Sequence, residues 1–410
     1  MKRLLPLLLI AVFVVAAVGA PAKAQDKTTI RLWHGWGGDY QKAIIAEFEN
    51  YNATNTDGIT VELVQPANQQ EALNTAIAAG AEGDGPDINA WVNDQIGGNV
   101  VSGNIIPLDD YGVDKAFLES VYEPAAVTGM IYQDKIYGLP ETQEAITLLC
   151  NSALVSPEDF PTDPQDFNGL YEAAKKFRDA NPDKYLIVNQ GWGGSDAYHN
   201  APMFYGFGGS YVDENGVVGL NTPEGLAAGE WLLKMTEVAP AEISGEQIVA
   251  NIVEGKAACA WTGPWNVKGL EDGGINFFFV PFGRPFVGIK TMMLTKLAAD
   301  RGTAEAAVKV MKWFTSAEVQ AKLALENGTV PAQTEALANP DVANDPIIIG
   351  FGKQAAIGVP FPNHPFMSQL WGPAGDAFLA IWKKAQTPAE ALEAAQGVAE
   401  ENVQTLKDSM

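Results

Sequence analysis

The sequence predicts an α/β protein built of two lobes, and three observations predict it. Strand-length apolar runs alternate with amphipathic helical stretches from Thr28 onward. The 410 residues suffice for two separate cores. No Ser/Gly tether or low-complexity linker divides the chain, so the two cores must be joined by strands that cross between them. In order, Thr29 to His34 reads as a strand, and Tyr40 to Tyr51 as a helix with Ile44, Ile45, Phe48 and Tyr51 on one face. Ile59 to Val64 is again a strand, Gln69 to Ala79 a helix, and Asp87 to Trp91 a short buried strand after a Gly-Pro turn. This βαβαβ order argues for a mainly parallel sheet flanked by helices. Leu186 to Asn189, Ala257 to Thr262 and Asn276 to Val280 read as strands and Gly225 to Thr236 as a helix, which makes a second α/β lobe. Thr303 to Phe314 and Ala317 to Glu326 form a helix pair, with Thr315-Ser-Ala-Glu318 as a capping box between them. Pro388 to Lys407 carries Ala and Glu at helical spacing and reads as a surface helix.

Residues 1–24 combine Lys2 and Arg3, the apolar run Leu4 to Val18 and Ala22-Lys23-Ala24, the pattern of a secretory signal peptide cleaved after Ala24. No later window offers about 18 uncharged apolar residues. Neither Cys150 nor Cys259 lies at the cleavage site, so a free periplasmic protein is expected rather than a lipid-anchored one. The formal net charge of −24 repels phosphate backbones and anionic lipid head groups, which argues against nucleic acid or a lipid surface as partner. In an oxidising compartment the two cysteines could be bridged if their strands are neighbours; two buried free thiols are the other reading.

The chain has no Walker A run, no G-x-S-x-G elbow, no C-x-x-C and no H-E-x-x-H. His34, His199 and His364 show no metal-ligand spacing. The sequence therefore reads as a binding protein without catalytic residues, cofactor or metal.

Three segments carry binding chemistry. Gly83 to Gly98 places Trp91, Asn93 and Asp94 at the carboxyl end of a strand, where open α/β sheets bind ligands. Ala260-Trp-Thr-Gly-Pro-Trp265 puts Trp265 just past a strand and a Gly-Pro turn, and Pro362-Asn-His-Pro-Phe-Met-Ser-Gln-Leu-Trp371 starts a helix at Trp371. An uncharged sugar offers C–H faces to aromatic rings and a rim of hydroxyls to carboxylates. Trp36 joins this set from the glycine-rich loop Gly35-Trp-Gly-Gly38, and Trp192 from Gly191-Trp-Gly-Gly194. Most of the ten tryptophans belong to cores, so position must select among them.

Together these segments resemble the maltose and maltodextrin-binding proteins of ABC importers, with gaps, over nearly the whole chain after residue 25. The resemblance implies a type II periplasmic-binding-protein fold, two α/β lobes closing on a ligand cleft. The first lobe would be residues 25–142 plus a return segment 285–330, and the second 143–284 plus 331–410. By the same resemblance Trp91 and Asp94 match the first-lobe aromatic and carboxylate. Glu144 matches an acidic residue at the first crossing, Asp196 and Tyr198 a second-lobe acid and Tyr, and Trp265 and Trp371 the two stacking tryptophans. Gln95 stands where the family has an Arg, and Gly37-Gly38 where it has an Asp-Lys pair, which points to a shorter or differently linked glucoside. The implied function is the sugar receptor of an ABC importer, binding maltose or maltooligosaccharides as a monomer and docking on membrane permease subunits. A receptor for trehalose, another oligosaccharide or a polyol fits the same fold, and a secreted glycoside hydrolase is a third reading.

Overall fold

The computed structural model describes residues 27–410; the signal peptide expected at residues 1–24 lies outside them. Among these residues the strands are, in chain order, β1 (Thr28–His34), β2 (Ile59–Val64), β3 (Ile88–Val92), the short β4 (Ile131–Tyr132) and β5 (Lys135–Ile136), β6 (Leu139–Glu144), β7 (Thr147–Asn151), β8 (Tyr185–Asn189), β9 (Ala257–Thr262), β10 (Phe277–Val280), β11 (Phe286–Leu294), β12 (Val330–Pro331) and β13 (Val359–Pro360). All but β4 and β5, which pair only with each other, belong to two sheets. A seven-stranded sheet runs β12-β6-β11-β3-β1-β2 with β13 on β11, and a four-stranded sheet runs β10-β7-β9-β8.

The α/β class holds, but parallel pairing is less extensive than the strand–helix alternation predicts. β1 pairs in parallel with β2 and β3, β8 with β9, and β13 with β11; β11 is antiparallel to both β3 and β6, and β7 is antiparallel to both β9 and β10. A strand fed through a helix returns in the same direction, whereas one entering directly from the neighbouring lobe runs backwards. The chain makes such direct entries between β6 and β7 and between β10 and β11, and it touches the first sheet again at β12.

The first sheet packs around Ile30, Leu32, Ile88, Ile289, Met292 and Phe314. The second sheet is covered on both faces, because side chains alternate along its strands. Leu148, Cys150 and Trp261 join Phe204, Trp231 and Phe378, while Leu149, Val188 and Ala260 join Ile248, Ile348 and Phe351. Cys150 and Cys259 lie opposite each other on β7 and β9 and are joined by a disulfide, which decides between the two readings of the cysteine pair.

The helix pair is present as Ala304–Phe314 and Ala317–Asn327, but the capping box expected between them is not. Ser316 is the N-cap, and the Thr315 hydroxyl donates back to the carbonyl of Met311. Thr315 is fully buried, so its hydroxyl closes the preceding helix instead of opening the next one. A capping box does begin the C-terminal helix Pro388–Ser409, where Thr387 and Glu390 satisfy each other's backbone.

Candidate functional site

The approach to β3 is fixed by charge. Arg301 donates to the carbonyls of Ala81, Gly83 and Gly85, and the Asp87 carboxylate accepts from the Arg31 amide, the Thr303 hydroxyl and Arg301. That anchoring sets where β3 ends, and a 3-10 turn, Asn93–Gln95, follows directly. Trp91 is partly exposed, with its ring against Gly35: a Cβ there would sit 1.3 Å from the ring, so only glycine fits. Asp94 is buried. It accepts from Trp371 Nε1 at 3.2 Å and from Gln95 Nε2 at 2.6 Å, and burial pushes its carboxyl up to about 7 despite these bonds.

Trp371 heads the helix Trp371–Trp382 and packs with the second sheet's aromatic cluster, 5.6 Å from the Phe361 ring and 6.5 Å from Tyr198. Its bond to Asp94 therefore ties the two lobes together. Trp265 lies on a 3-10 turn, Pro264–Asn266, just beyond β9, flat against Gly263, where a Cβ would come within 2.2 Å of the indole. Tyr198 stands between the two tryptophans, 6.5 Å from each ring. Burial holds its hydroxyl well above the ordinary phenol range, and Glu144, Asp196 and Asp94 push the same way. Three of the carboxylates singled out in the sequence thus act electrostatically on one side chain, Tyr198.

Asp196 is held by its own helix. It N-caps the helix Ala197–Gly206, with one oxygen accepting the His199 amide at 2.9 Å and the other 2.7 Å from His199 Nδ1. Burial opposes its charge, yet His199 outweighs burial and holds the carboxyl below its ordinary range. Both oxygens are engaged, so Asp196 positions His199, whose ring is 5.9 Å from Trp265.

Glu144 ends β6 and pairs with Lys290 Nζ at 2.6 Å; the ammonium also lies 4.6 Å from the Tyr40 ring. The β6–β11 register slips between Lys290 and Thr291, which leaves Glu141 as the extra residue of a bulge. Glu141 accepts from Trp36 Nε1 at 3.2 Å and from the Tyr40 hydroxyl; burial raises its carboxyl to about 7, with Lys290 acting against the shift. A small cavity of about 10 Å³ is walled by Tyr40, Glu144 and Lys290 on one side and by Pro264, Trp265, Lys268, Asn327 and Thr329 on the other. Among the roomier cavities, one of about 790 Å³ runs along Phe277–Phe279 and one of about 530 Å³ is bordered by Ile289, Pro360 and Phe361; neither is lined by Asp94, Glu144, Tyr198, Trp265 or Trp371.

Two expectations are corrected. Trp36 is 3% exposed; it stacks on His34 at 4.6 Å and meets Phe314 at 5.6 Å. Trp192 is 1% exposed, stacked on Trp382 at 5.1 Å with its edge toward Trp261. Both glycine-rich loops turn their indole inward because aromatic partners remote in sequence wait there, and burying so large a surface outweighs display to a ligand.

Sequence reasoning passed over Tyr40, Glu141, His199, Lys290 and Phe361. A signal existed for one of them: Lys290 is the only charge in the nine residues of β11. Among the described residues no group of His, Cys, Asp and Glu is placed to hold a metal ion, and no helix is long and apolar enough to cross a membrane.

Comparison with known proteins gives a consistent picture. Residues 43–349 match the profile of the family described as bacterial extracellular solute-binding protein. The maltotriose-binding protein of Pyrococcus abyssi (strain GE5 / Orsay) is 30% identical over 368 residues, covering 86% of this chain and 77% of that protein. The galactooligosaccharide-binding protein of Bacillus subtilis (strain 168) is 26% identical over 341 residues, covering 77% and 76%. Among solved structures, a cyclo/maltodextrin-binding protein complexed with maltotetraose superposes with a TM-score of 0.74 at 27% identity, over 93% of this chain and 99% of that one.

Proposed function

The chain belongs to the bacterial extracellular solute-binding protein family, and from that premise we propose that it is the maltooligosaccharide receptor of an ABC importer. The observation that carries this reading is the row Trp371–Tyr198–Trp265, with Asp94 at one end and Glu144 at the other. Aromatic rings spaced in this way offer faces to successive sugar rings, and carboxylates accept from their hydroxyls. Trp91, Asp94, Glu144, Tyr198, Trp265 and Trp371 are the ligand-contacting residues in this reading, with Asp196 acting through His199.

We divide the chain into lobes 25–142 plus 285–330 and 143–284 plus 331–410. Ligand binding closes them by a hinge motion, as in periplasmic binding proteins as a class. The closed monomer docks on the permease from the periplasmic side, and no bond in the sugar is made or broken. The similarity to a galactooligosaccharide-binding protein supports a second reading, a galactooligosaccharide as ligand on the same fold.

Isothermal titration calorimetry of the protein lacking residues 1–24 with maltose, maltotriose, trehalose, cellobiose and a galactooligosaccharide tests both. Saturable binding of the α-1,4 glucosides, weakened in Trp371→Ala, is the expected result; heat from the galactoside alone would transfer the ligand to the second reading. Shorter products from a maltotriose incubation would overturn the non-catalytic assignment.

A further inference from the structure

Lys290 is placed where an ordinary structural lysine has no reason to be. It lies on β11, an interior strand of the first sheet whose other eight residues carry no charge, and its side chain is 18% exposed. Taking an ammonium out of water costs several kcal/mol in order of magnitude unless partners replace the lost hydration. Two partners are in place: the Glu144 carboxylate at 2.6 Å and the Tyr40 ring face at 4.6 Å. The pairing follows from register. Lys290 is opposite Thr142, so Glu144, two residues along, is its diagonal neighbour on the same face. The adjoining bulge at Glu141 is the kind of irregularity that re-aims side chains beside a functional site.

An ammonium has three donors in a fixed fan, and one carboxylate oxygen does not use them all. Lys290 lines the small cavity together with Trp265 and Thr329. On that opposite wall the Thr329 hydroxyl is buried and has no hydrogen-bond partner among the described residues, which is costly for a polar atom unless a ligand completes it. The site therefore has two poles. Asp94 serves the ring of Trp371, Lys290 with Glu144 and Thr329 serves the ring of Trp265, and Tyr198 joins them.

We infer that Lys290 is a ligand-binding residue, the cation of a charged subsite with Glu144, Tyr40 and Thr329 that takes the hydroxyls of the sugar unit on Trp265 and so sets the preference for oligosaccharide length. This inference rests on the oligosaccharide reading of the cleft. A ligand held mainly at the Trp371 pole makes little use of Lys290, and one extending across Tyr198 onto Trp265 depends on it.

The test is calorimetry with maltose and maltotriose on the wild type, Lys290→Met, Lys290→Arg and Thr329→Val, with an unfolding temperature for each. The expected result is a tenfold or larger loss of maltotriose affinity in Lys290→Met, a smaller loss for maltose, partial recovery in Lys290→Arg, and a measurable maltotriose loss in Thr329→Val at an unchanged unfolding temperature. If Lys290→Met fails to fold, Lys290→Arg, which keeps the charge and the Glu144 pair, carries the test through the same maltotriose-to-maltose ratio. Equal losses for the two sugars, or no loss in any folded variant, would overturn the inference while leaving the receptor reading intact. A wild type that binds neither sugar would overturn that reading, and this subsite with it.

Discussion

Trp36 and Trp265 both stand beside glycine, yet their rings go opposite ways, and the difference lies in what each ring can reach. Trp36 finds His34, Phe48 and Phe314 around it and Glu141 for its N–H, whereas Trp265 finds the bare backbone of Gly263 beneath one face. Core and site tryptophans should therefore separate cleanly on mutation. Trp36→Ala is expected to cost about 3–5 kcal/mol of unfolding free energy, the usual range for emptying a buried aromatic site, measured by urea titration without ligand. Trp371→Ala is expected to weaken maltotriose binding by about 10- to 100-fold, or about 1.4–2.7 kcal/mol by calorimetry. Equal stability losses in the two variants would contradict the assignment. In the sequence the strand-end placement of Trp91, Asp94 and Trp265 was legible, because a residue's place along a strand decides it. Surroundings were illegible where a partner far along the chain decided them, as for Trp192 on Trp382.

At the scale of elements, β1 to β3 and β8 to β10 could be read within a residue or two from apolar runs and turns, but the bounds of the strands that join the lobes, β6, β7 and β11, could not, and neither could strand direction. Nothing in Phe286–Leu294 shows that it enters antiparallel between β3 and β6, because direction is set by the route of the chain between lobes. The same limit applied to the cysteines, whose pairing required β7 and β9 to be neighbours. That bridge closes a separation of 109 residues, a length for which chain-entropy arguments give stabilisation of about 4–5 kcal/mol. Replacing both cysteines by alanine should lower the unfolding midpoint by several degrees and leave maltotriose affinity within about twofold, since the bridge lies in the second-lobe core. At the far end, Thr387→Ala removes the cap of Pro388–Ser409 and should cost about 1 kcal/mol, read from the same unfolding curve.

The whole molecule carries an unusual response to pH. Asp94 and Glu141 are buried carboxyls raised to about 7, so between their unfolded values near 4 and pH 7 the native state holds more protons than the unfolded chain. Their contribution to stability is therefore fullest at the acid end of this window and falls as pH rises through it, by at most about 1.4 kcal/mol per pH unit for each group. Asp196, held low by His199, contributes in the opposite sense at more acid pH. Thermal melts of the wild type and of Asp94→Asn/Glu141→Gln from pH 4.5 to 8 isolate the effect. The wild type should lose stability relative to the variant as pH rises, and parallel curves would refute it. If ligand closes the proposed lobes, a decrease in radius of gyration by small-angle scattering with maltotriose is the expected outcome, and an unchanged radius would contradict the hinge motion.

The α/β class, the alternating elements, the sheet-end placement of Trp91, Asp94 and Trp265, and a resemblance to a sugar-receptor family can all be read from the chain alone. Those features follow from local periodicity, turn chemistry and spacing, which act over a few residues. Strand direction, the disulfide, the inward turn of Trp36 and Trp192, and the meeting of Lys290 with Glu144 emerge only in the folded molecule. These depend on which distant segments are brought together, and the free energy of burying a ring or pairing a charge is set by that neighbourhood rather than by the residue's own place in the chain.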